Sequence, residues 1–176
     1  LNSCTTSAEM SGVNLDRNFP HDWGLDDIGS SSDTCSEEYR GTKFFSEPET
    51  KRVDDWSILN PSQLGISYHS YGKEYLYPFS GDATEPLDSV DRKIYDMLKP
   101  MVPSDYTYGR YTTIRSTPSN GSALDYLLKQ DMTALSAYLA STHFPTLDEV
   151  AETDTKNYHT FIKLCKAVAF SLEVSL

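Results

Sequence analysis

Hydrophobic and polar positions along the chain predict strands that alternate with helices. Apolar and small residues fill Thr133–Leu139, which is typical of a strand buried on both faces. The shorter runs Leu64–His69 and Glu74–Phe79 are aromatic-rich or bounded by turn residues, and they predict two more strands. Val13–Phe19 predicts a short strand that leads into a loop. Tyr106–Ile114 predicts an extended or partly irregular segment.

Helical spacing appears in several other segments. Pro86–Met101 and Thr155–Leu172 have apolar residues every three or four positions and predict amphipathic helices, while Ser122–Leu128 predicts a short one. The apolar stripe predicted for Thr155–Leu172 comprises Tyr158, Phe161, Ile162, Cys165, Val168, Ala169 and Leu172. Strands that alternate with helices indicate an α/β fold with a mixed, mostly parallel sheet.

A further helix is predicted to begin near Pro48. Ser46 can cap it, Glu49 completes a capping box, and Pro48 suits a first turn, whose N–H groups have no helical partner. Pro61 ends the helical pattern. The face predicted to be buried consists of Val53, Trp56 and Leu59.

Length and charge limit the classes of function. The chain has 176 residues, which suits a single domain over 1–176, and its formal net charge is −11. Nucleic acids and anionic membranes require a basic surface, so neither is expected as a main partner. No apolar run approaches the roughly 20 residues of a membrane span. The chain begins at Leu1 without an initiating Met, which predicts a processed or excised product.

The cysteines indicate an oxidising compartment. Cys4 and Cys35 lie in polar, turn-rich sequence that suits an exposed disulfide closing a loop over 4–35, as expected of a secreted or lumenal protein. Three reduced thiols are the alternative. Cys165 falls on the apolar stripe of a helix and is expected in the core. Asn120 begins an N-glycosylation sequon, which agrees with secretion but is common by chance.

The common nucleotide-binding, hydrolase and redox motifs are absent from the sequence. His69 is the histidine placed where function is expected, at the carboxyl end of a predicted strand. Taken alone, a single histidine is more often structural than a ligand.

Several segments together resemble the zinc carboxypeptidases of the funnelin type. Gly12–Pro20 is similar to their G-V-D-L-N-R-N-F-P element, and Ile66–Gly72 followed by Tyr75–Pro78 is similar to their H-S-Y…L-Y-P element. The other similar segments, in family order, are Cys35–Gly41, Phe45–Thr50, Asn120–Tyr126 and Met132–Leu139.

The resemblance implies a sheet of parallel and antiparallel strands with the site at the carboxyl ends of central strands. It also implies that 1–176 is a C-terminal portion that lacks the family's N-terminal strands. A central strand would then expose an unpaired edge, so an upstream segment or other protein chains would be needed to complete the sheet. The family places a disulfide at positions matching Cys4 and Cys35. Active members bind zinc through an H-x-x-E motif and a later histidine, and they grip the C-terminal carboxylate of a peptide.

Residue by residue, the resemblance implies a degenerate site. His69 matches the third zinc ligand and Arg17 the carboxylate-binding arginine, but Asp16 stands where active members have asparagine. Tyr138 stands where they have the general-base glutamate, and a phenol is a poor base at neutral pH. No glutamate lies between Glu85 and Glu149, so a shift of register cannot restore that base.

The remaining site positions follow from the same motifs. The H-x-x-E motif is absent from this sequence, so zinc would be incompletely coordinated by His69 alone. Ser70 and Tyr71 match substrate-binding positions, and Leu124 precedes the loop aspartate, which implies an apolar pocket. Arg115 or Thr117 falls where active members have a mobile tyrosine.

Three functions remain open at this point. The first is a catalytically inactive carboxypeptidase-like domain used for binding or assembly. The second is the C-terminal chain of an active zinc metallocarboxypeptidase whose H-x-x-E comes from a separate upstream segment, with a peptide C-terminus as substrate. The third is a structural subunit of a larger extracellular or organellar complex.

Overall fold

A four-stranded sheet forms the centre of the molecule. The structure is a computed structural model and describes residues 12–173. Its strands are β1 (Leu64–Ser70), β2 (Glu74–Tyr77), β3 (Thr107–Arg110) and β4 (Thr133–Leu139). In the order β1-β4-β2-β3, β1 is parallel to β4 and β2 is parallel to β3, whereas β2 is antiparallel to β4. The predicted α/β fold with a mixed, mostly parallel sheet is therefore confirmed.

Helices flank this sheet, and local hydrogen bonds explain where two of them begin. Asp88 caps one by accepting from the N–H groups of Val90 and Asp91, and Ser122 caps another by accepting from Asp125 N–H. The helices are α1 (Pro48–Leu59), α2 (Ser89–Leu98), α3 (Tyr111–Ile114), α4 (Ala123–Lys129) and α5 (Leu147–Glu173). None of the described helices is long and apolar enough to cross a bilayer.

Alternation along the strands divides the core into two clusters on opposite faces of the sheet. Leu135 of β4 faces a cluster with α2 and α5, whereas its neighbour Ala134 faces a cluster with α4. The first cluster includes Tyr75, Tyr95, Leu98, Leu164 and Val168; the second includes Leu76, Phe79, Tyr111, Leu124 and Leu128. The sheet is thus covered on both sides, as the apolar run of β4 predicts.

The buried face of α1 differs from the prediction. Trp56 is 57% exposed and Leu59 78% exposed, whereas the buried residues of this helix are the polar Thr50, Asp54 and Ser57. Hydrogen bonds satisfy these polar groups: the Tyr126 hydroxyl, for example, donates to Asp54 Oδ1 at 2.6 Å. The helix also lacks the predicted capping box, because Glu47 occupies the N-cap without a side-chain bond. The prediction from apolar spacing was therefore wrong about which face of α1 is buried.

Two other predicted elements also need correction. Helix α5 begins at Leu147 rather than Thr155, and Tyr158 of the predicted stripe is 61% exposed. Polar groups again form part of its buried side: Asn157 accepts a hydrogen bond from the Tyr75 hydroxyl at 2.5 Å. The strand predicted over Val13–Phe19 is instead a loop with a 3₁₀ turn at Leu15–Arg17, which Asn14 caps through Asp16 N–H.

Candidate functional site

His69 and Tyr138 lie side by side where β1 and β4 end. The two residues are paired in register, and their rings stack with centroids 4.7 Å apart at 18°. His69 Nε2 shares a hydrogen bond of 3.0 Å with Ser67 Oγ, which also bonds to Ser136 Oγ at 3.0 Å. Among the described residues His69 forms no ion pair, and its direct contacts are the Tyr138 ring and the Ser67 hydroxyl.

Tyr138 is held in place from a second direction by Arg115. The guanidinium carbon lies 4.0 Å from the ring centre, within the range of a cation–π contact, and Arg115 Nε forms a 2.7 Å ion pair with Glu74 Oε2. Burial raises the pKa of the Tyr138 hydroxyl above its ordinary value, and neighbouring Tyr111 acts in the same direction. The phenol therefore stays protonated at neutral pH and cannot act as a general base.

Arg17 is occupied by groups of the chain itself. Its Nη1 donates to the backbone oxygen of Asp16 at 2.9 Å and to Asp16 Oδ2 at 3.3 Å, and it also donates to Ser119 Oγ. Its Nε lies 2.9 Å from Glu38 Oε2 in an ion pair. Asp16 is itself fixed, because its Oδ1 accepts from the Ala123 N–H at the start of α4. The guanidinium is thus neutralised by two carboxylates.

A small open groove of about 190 Å³ contains His69 and Asp16. Its other lining residues include the carboxylate of Glu49 besides apolar and hydroxyl side chains. Leu124 of α4 lies elsewhere: it is 1% exposed and packs in the second core cluster, so it is not among the residues that line this groove. Ser70 is exposed, and Tyr71 is 44% exposed with its ring against His143. The structure brings His69, Tyr138 and Asp16 together but leaves Leu124 out.

Asp125, the aspartate of the matching loop, is a buried structural group. Its carboxylate accepts from the N–H groups of Ser80 and Gly81 and from the Ser80 hydroxyl at 2.8–2.9 Å. Desolvation by burial raises its pKa to about 6, against the opposing effect of these donors. Asp125 therefore ties the loop after β2 to the start of α4.

A zinc ion does not fit the described residues around His69, because His69 belongs to no group of three metal-ligating side chains there, and structural or catalytic zinc needs three or more. In the described part of the chain, the group of three or more metal-ligating side chains lies elsewhere, at His21, Asp22 and Glu85. Sequence reasoning missed this group. Glu85 is 64 residues from His21, so no short motif could have revealed it.

Two predictions concern possible modification sites. The side chain of Asn120 is fully buried, and its Nδ2 donates to Asp26 Oδ1 at 2.7 Å, so the folded chain does not present this amide to a glycosylating enzyme. The Cys4–Cys35 disulfide stays a prediction, because Cys4 lies outside the described residues. Cys165 is partly buried on α5.

Comparison with known sequences gives a consistent result. The family model described as zinc carboxypeptidase matches residues 2–160. Human mast cell carboxypeptidase A is 35% identical over 124 residues, covering 65% of this chain and 28% of that protein. Carboxypeptidase B of Bos taurus is 32% identical over 127 residues, covering 68% of this chain and 30% of that protein. The chain thus spans about 30% of the length of the curated relatives it matches.

Solved structures agree with the sequence comparison at the level of the fold. Bovine thrombin-activatable fibrinolysis inhibitor, in complex with tick carboxypeptidase inhibitor, superposes with a TM-score of 0.75 at 24% identity, covering 90% of this chain and 57% of that one. Carboxypeptidase A from Helicoverpa armigera superposes with a TM-score of 0.69 at 24% identity, covering 96% of this chain and 44% of that one.

Proposed function

We propose that this chain, which belongs to the zinc carboxypeptidase family, is a carboxypeptidase-like domain that does not hydrolyse peptides and serves in binding or assembly. The observation that carries the proposal is the stack of Tyr138 on His69. A protonated phenol fills the position that matches the family's general base. Removing a general base typically lowers the rate about 10²- to 10⁴-fold.

The state of Arg17 supports the same proposal. A peptide carboxylate would need this guanidinium, but Asp16 and Glu38 already neutralise it. A substrate carboxylate would also approach Asp16 itself, and like charges repel. The net charge of −11 adds a long-range repulsion of acidic ligands. Loss of the base and loss of the carboxylate site thus act together.

A second candidate is the C-terminal chain of an active enzyme completed by a separate upstream segment. Strand β1 favours it, because among the described residues β1 lies at the edge of the sheet and pairs with β4 on one side. Unpaired N–H and C=O groups on the other side can accept another strand. The exposed Trp56 and Leu59 of α1 offer apolar surface to the same kind of segment. A structural subunit of a larger extracellular or organellar complex would use these surfaces too.

Peptidase assays separate the first two candidates. The chain is incubated with zinc and a peptide that ends in a leucine or phenylalanine carboxylate, with and without a separate carboxypeptidase segment that carries H-x-x-E. We expect no release of the terminal residue in either case. Hydrolysis that appears with the upstream segment and disappears on adding a zinc chelator would support the second candidate and contradict the first.

Secretion into an oxidising compartment is part of the proposal. The predicted disulfide between Cys4 and Cys35 supports it, whereas the buried Asn120 side chain removes the sequon as an argument. Mass spectrometry of the native protein, digested without reduction, tests this point. A peptide joining Cys4 to Cys35 is expected, and free thiols at both positions would contradict the proposal.

A further inference from the structure

Three potential metal ligands converge beside the loop that follows β2. His21 Nε2 lies 2.9 Å from Glu85 Oε2 and 3.6 Å from Asp22 Oδ2. The ligand atoms of these three residues all lie within 4.8 Å of one another. None of the three lines the groove at His69. The cluster is therefore separate from the position that matches the family's zinc ligand.

One oxygen of this cluster is buried without a donor from the chain. Asp22 Oδ2 has no hydrogen-bond partner, and its distance to His21 Nε2 is too long for a hydrogen bond. Buried charged oxygens are rarely left in this state, because desolvating a carboxylate is costly unless a donor or a cation compensates it. The oxygen therefore indicates a partner that the polypeptide does not supply.

Gly81 makes the position of this carboxylate possible. A Cβ atom at residue 81 would lie 2.5 Å from Asp22 Oδ2 and 3.1 Å from Asp22 Cβ, both too close for a real side chain. Asp125 fixes the same glycine through its N–H at 2.9 Å. The Asp22 carboxylate thus occupies the place that a side chain at residue 81 would need.

Glu85 divides its two oxygens between different partners. Oε1 forms a 2.7 Å ion pair with Lys129 Nζ, and Oε2 faces His21. Lys129 therefore holds the carboxylate while Oε2 stays directed at the other two ligands. Asp22 and Glu85 together carry two negative charges against the one of Lys129, so the cluster has an excess of negative charge for a cation.

We propose that His21, Asp22 and Glu85 form a binding site for a divalent transition-metal ion of the zinc class, distinct from the zinc position of the family. One imidazole nitrogen and two carboxylate oxygens are a ligand set that zinc accepts. In a tetrahedral site with bonds of about 2.0–2.2 Å, ligand atoms are about 3.3–3.6 Å apart. The distances of 2.9 and 3.6 Å from His21 Nε2 are close to this range. Metal binding at Nε2 would require its proton to move to Nδ1 or to solvent.

Zinc titration of the full chain tests the proposal, with isothermal calorimetry as the measurement. We expect one equivalent of zinc to bind, and the affinity to fall at least about tenfold in His21→Asn and in Asp22→Asn. His159→Asn, which removes a histidine from α5, and His69→Asn are the matched controls and should bind zinc like the wild type. A wild type that binds no zinc, or a His21→Asn variant that binds as tightly, would overturn the proposal.

Cobalt absorption provides a measurement on the unaltered chain, in case a variant fails to fold. Co²⁺ bound to a four-coordinate site of nitrogen and oxygen ligands is expected to give visible bands that zinc then abolishes by displacement. The bands should persist in His69→Asn. Bands that vanish in His69→Asn but remain in His21→Asn would assign the metal to the groove and contradict the site proposed here.

Discussion

The two histidines His69 and His21 show how neighbours decide what an imidazole can do. His69 occupies a position that matches a family motif, yet it contacts the Tyr138 ring and the Ser67 hydroxyl. His21 belongs to no site of the matching motifs, yet it faces the carboxylates of Asp22 and Glu85. A match to a motif position therefore does not fix the neighbours of an imidazole, and possible metal ligands can converge where no motif predicts them.

Local charge sharpens the contrast between these two neighbourhoods. The guanidinium of Arg115 lies over the ring that stacks on His69, and a positive group disfavours a second cation nearby. Around His21 the two carboxylates exceed the single charge of Lys129. The charge around His21 thus favours a cation, whereas near His69 the charge of Arg115 is opposed by Glu74 and by the groove carboxylates Asp16 and Glu49.

The largest effect is expected from Asp125→Ala, because Asp125 supports both neighbourhoods. Its carboxylate holds Gly81 beside Asp22, and it lies two residues after Ala123, whose N–H fixes Asp16. The alanine leaves the buried N–H groups of Ser80 and Gly81 without an acceptor, whereas the Ser80 hydroxyl can still donate to Ser119 O. At about 1–3 kcal/mol for each unpaired buried group, we expect the free energy of unfolding to fall by about 2–6 kcal/mol. Urea denaturation measures this change.

Asp125→Asn is the matched control, because one amide oxygen still accepts hydrogen bonds. Asp125→Asn should lower the free energy of unfolding clearly less than Asp125→Ala. If the alanine lowered stability by less than about 1 kcal/mol, the loop after β2 would be held by other contacts. The link between the two histidine neighbourhoods would then be wrong.

The second effect is a pH dependence that the same carboxyl group introduces. Its folded pKa of about 6 exceeds the ordinary 3.8, so the unfolded chain loses this proton first as pH rises. The contribution of Asp125 to stability is therefore full below pH 4 and falls between about pH 4 and pH 6, by about 3 kcal/mol. Subtracting the stability of Asp125→Asn at each pH isolates this contribution. A difference that rises with pH would mean that the donors of Ser80 and Gly81 hold the group ionised.

The contrast also explains how far the sequence alone predicts this molecule. The strands β1 and β4 and the short helix α4 are encoded locally, and they lie where the sequence predicts them to within a few residues. The pairing of His69 with Tyr138 follows from the register of two parallel strands. The strands depend on periodicity, which a single sequence contains, whereas the register that pairs the two residues comes from the structure.

The other features depend on tertiary contacts that no local pattern contains. Helix α1 buries Asp54 because the Tyr126 hydroxyl, 72 residues away, donates to it. The cluster at His21 requires Glu85, which arrives from the loop before α2. In both cases polar partners distant in the sequence override the rule that apolar residues mark the buried face.

A smaller effect is expected from Arg115→Ala, which touches the His69 neighbourhood alone. The variant loses the cation–π contact with Tyr138 and the ion pair with Glu74. These contacts together are worth on the order of 1 kcal/mol in the free energy of unfolding. Arg115→Lys should retain part of this contribution, since it keeps the charge. Zinc affinity at the His21 cluster should stay unchanged in both variants, and a change there would mean that the two neighbourhoods are coupled.

The smallest effect on stability is expected from Asp16→Asn, because the new amide oxygen can still accept from Ala123 N–H. The variant loses the 3.3 Å ion pair with Arg17, so unfolding should become easier by less than about 1 kcal/mol. Binding should respond more, since a carboxylate ligand no longer meets the charge of Asp16 and faces only that of Glu49 at the groove. We expect N-acetyl-phenylalanine to bind at least about tenfold more tightly than to the wild type, as measured by NMR titration. Glu38→Gln removes the other carboxylate that pairs with Arg17 and should change the affinity less. An unchanged affinity in Asp16→Asn would show that Asp16 does not block the carboxylate-binding position at Arg17.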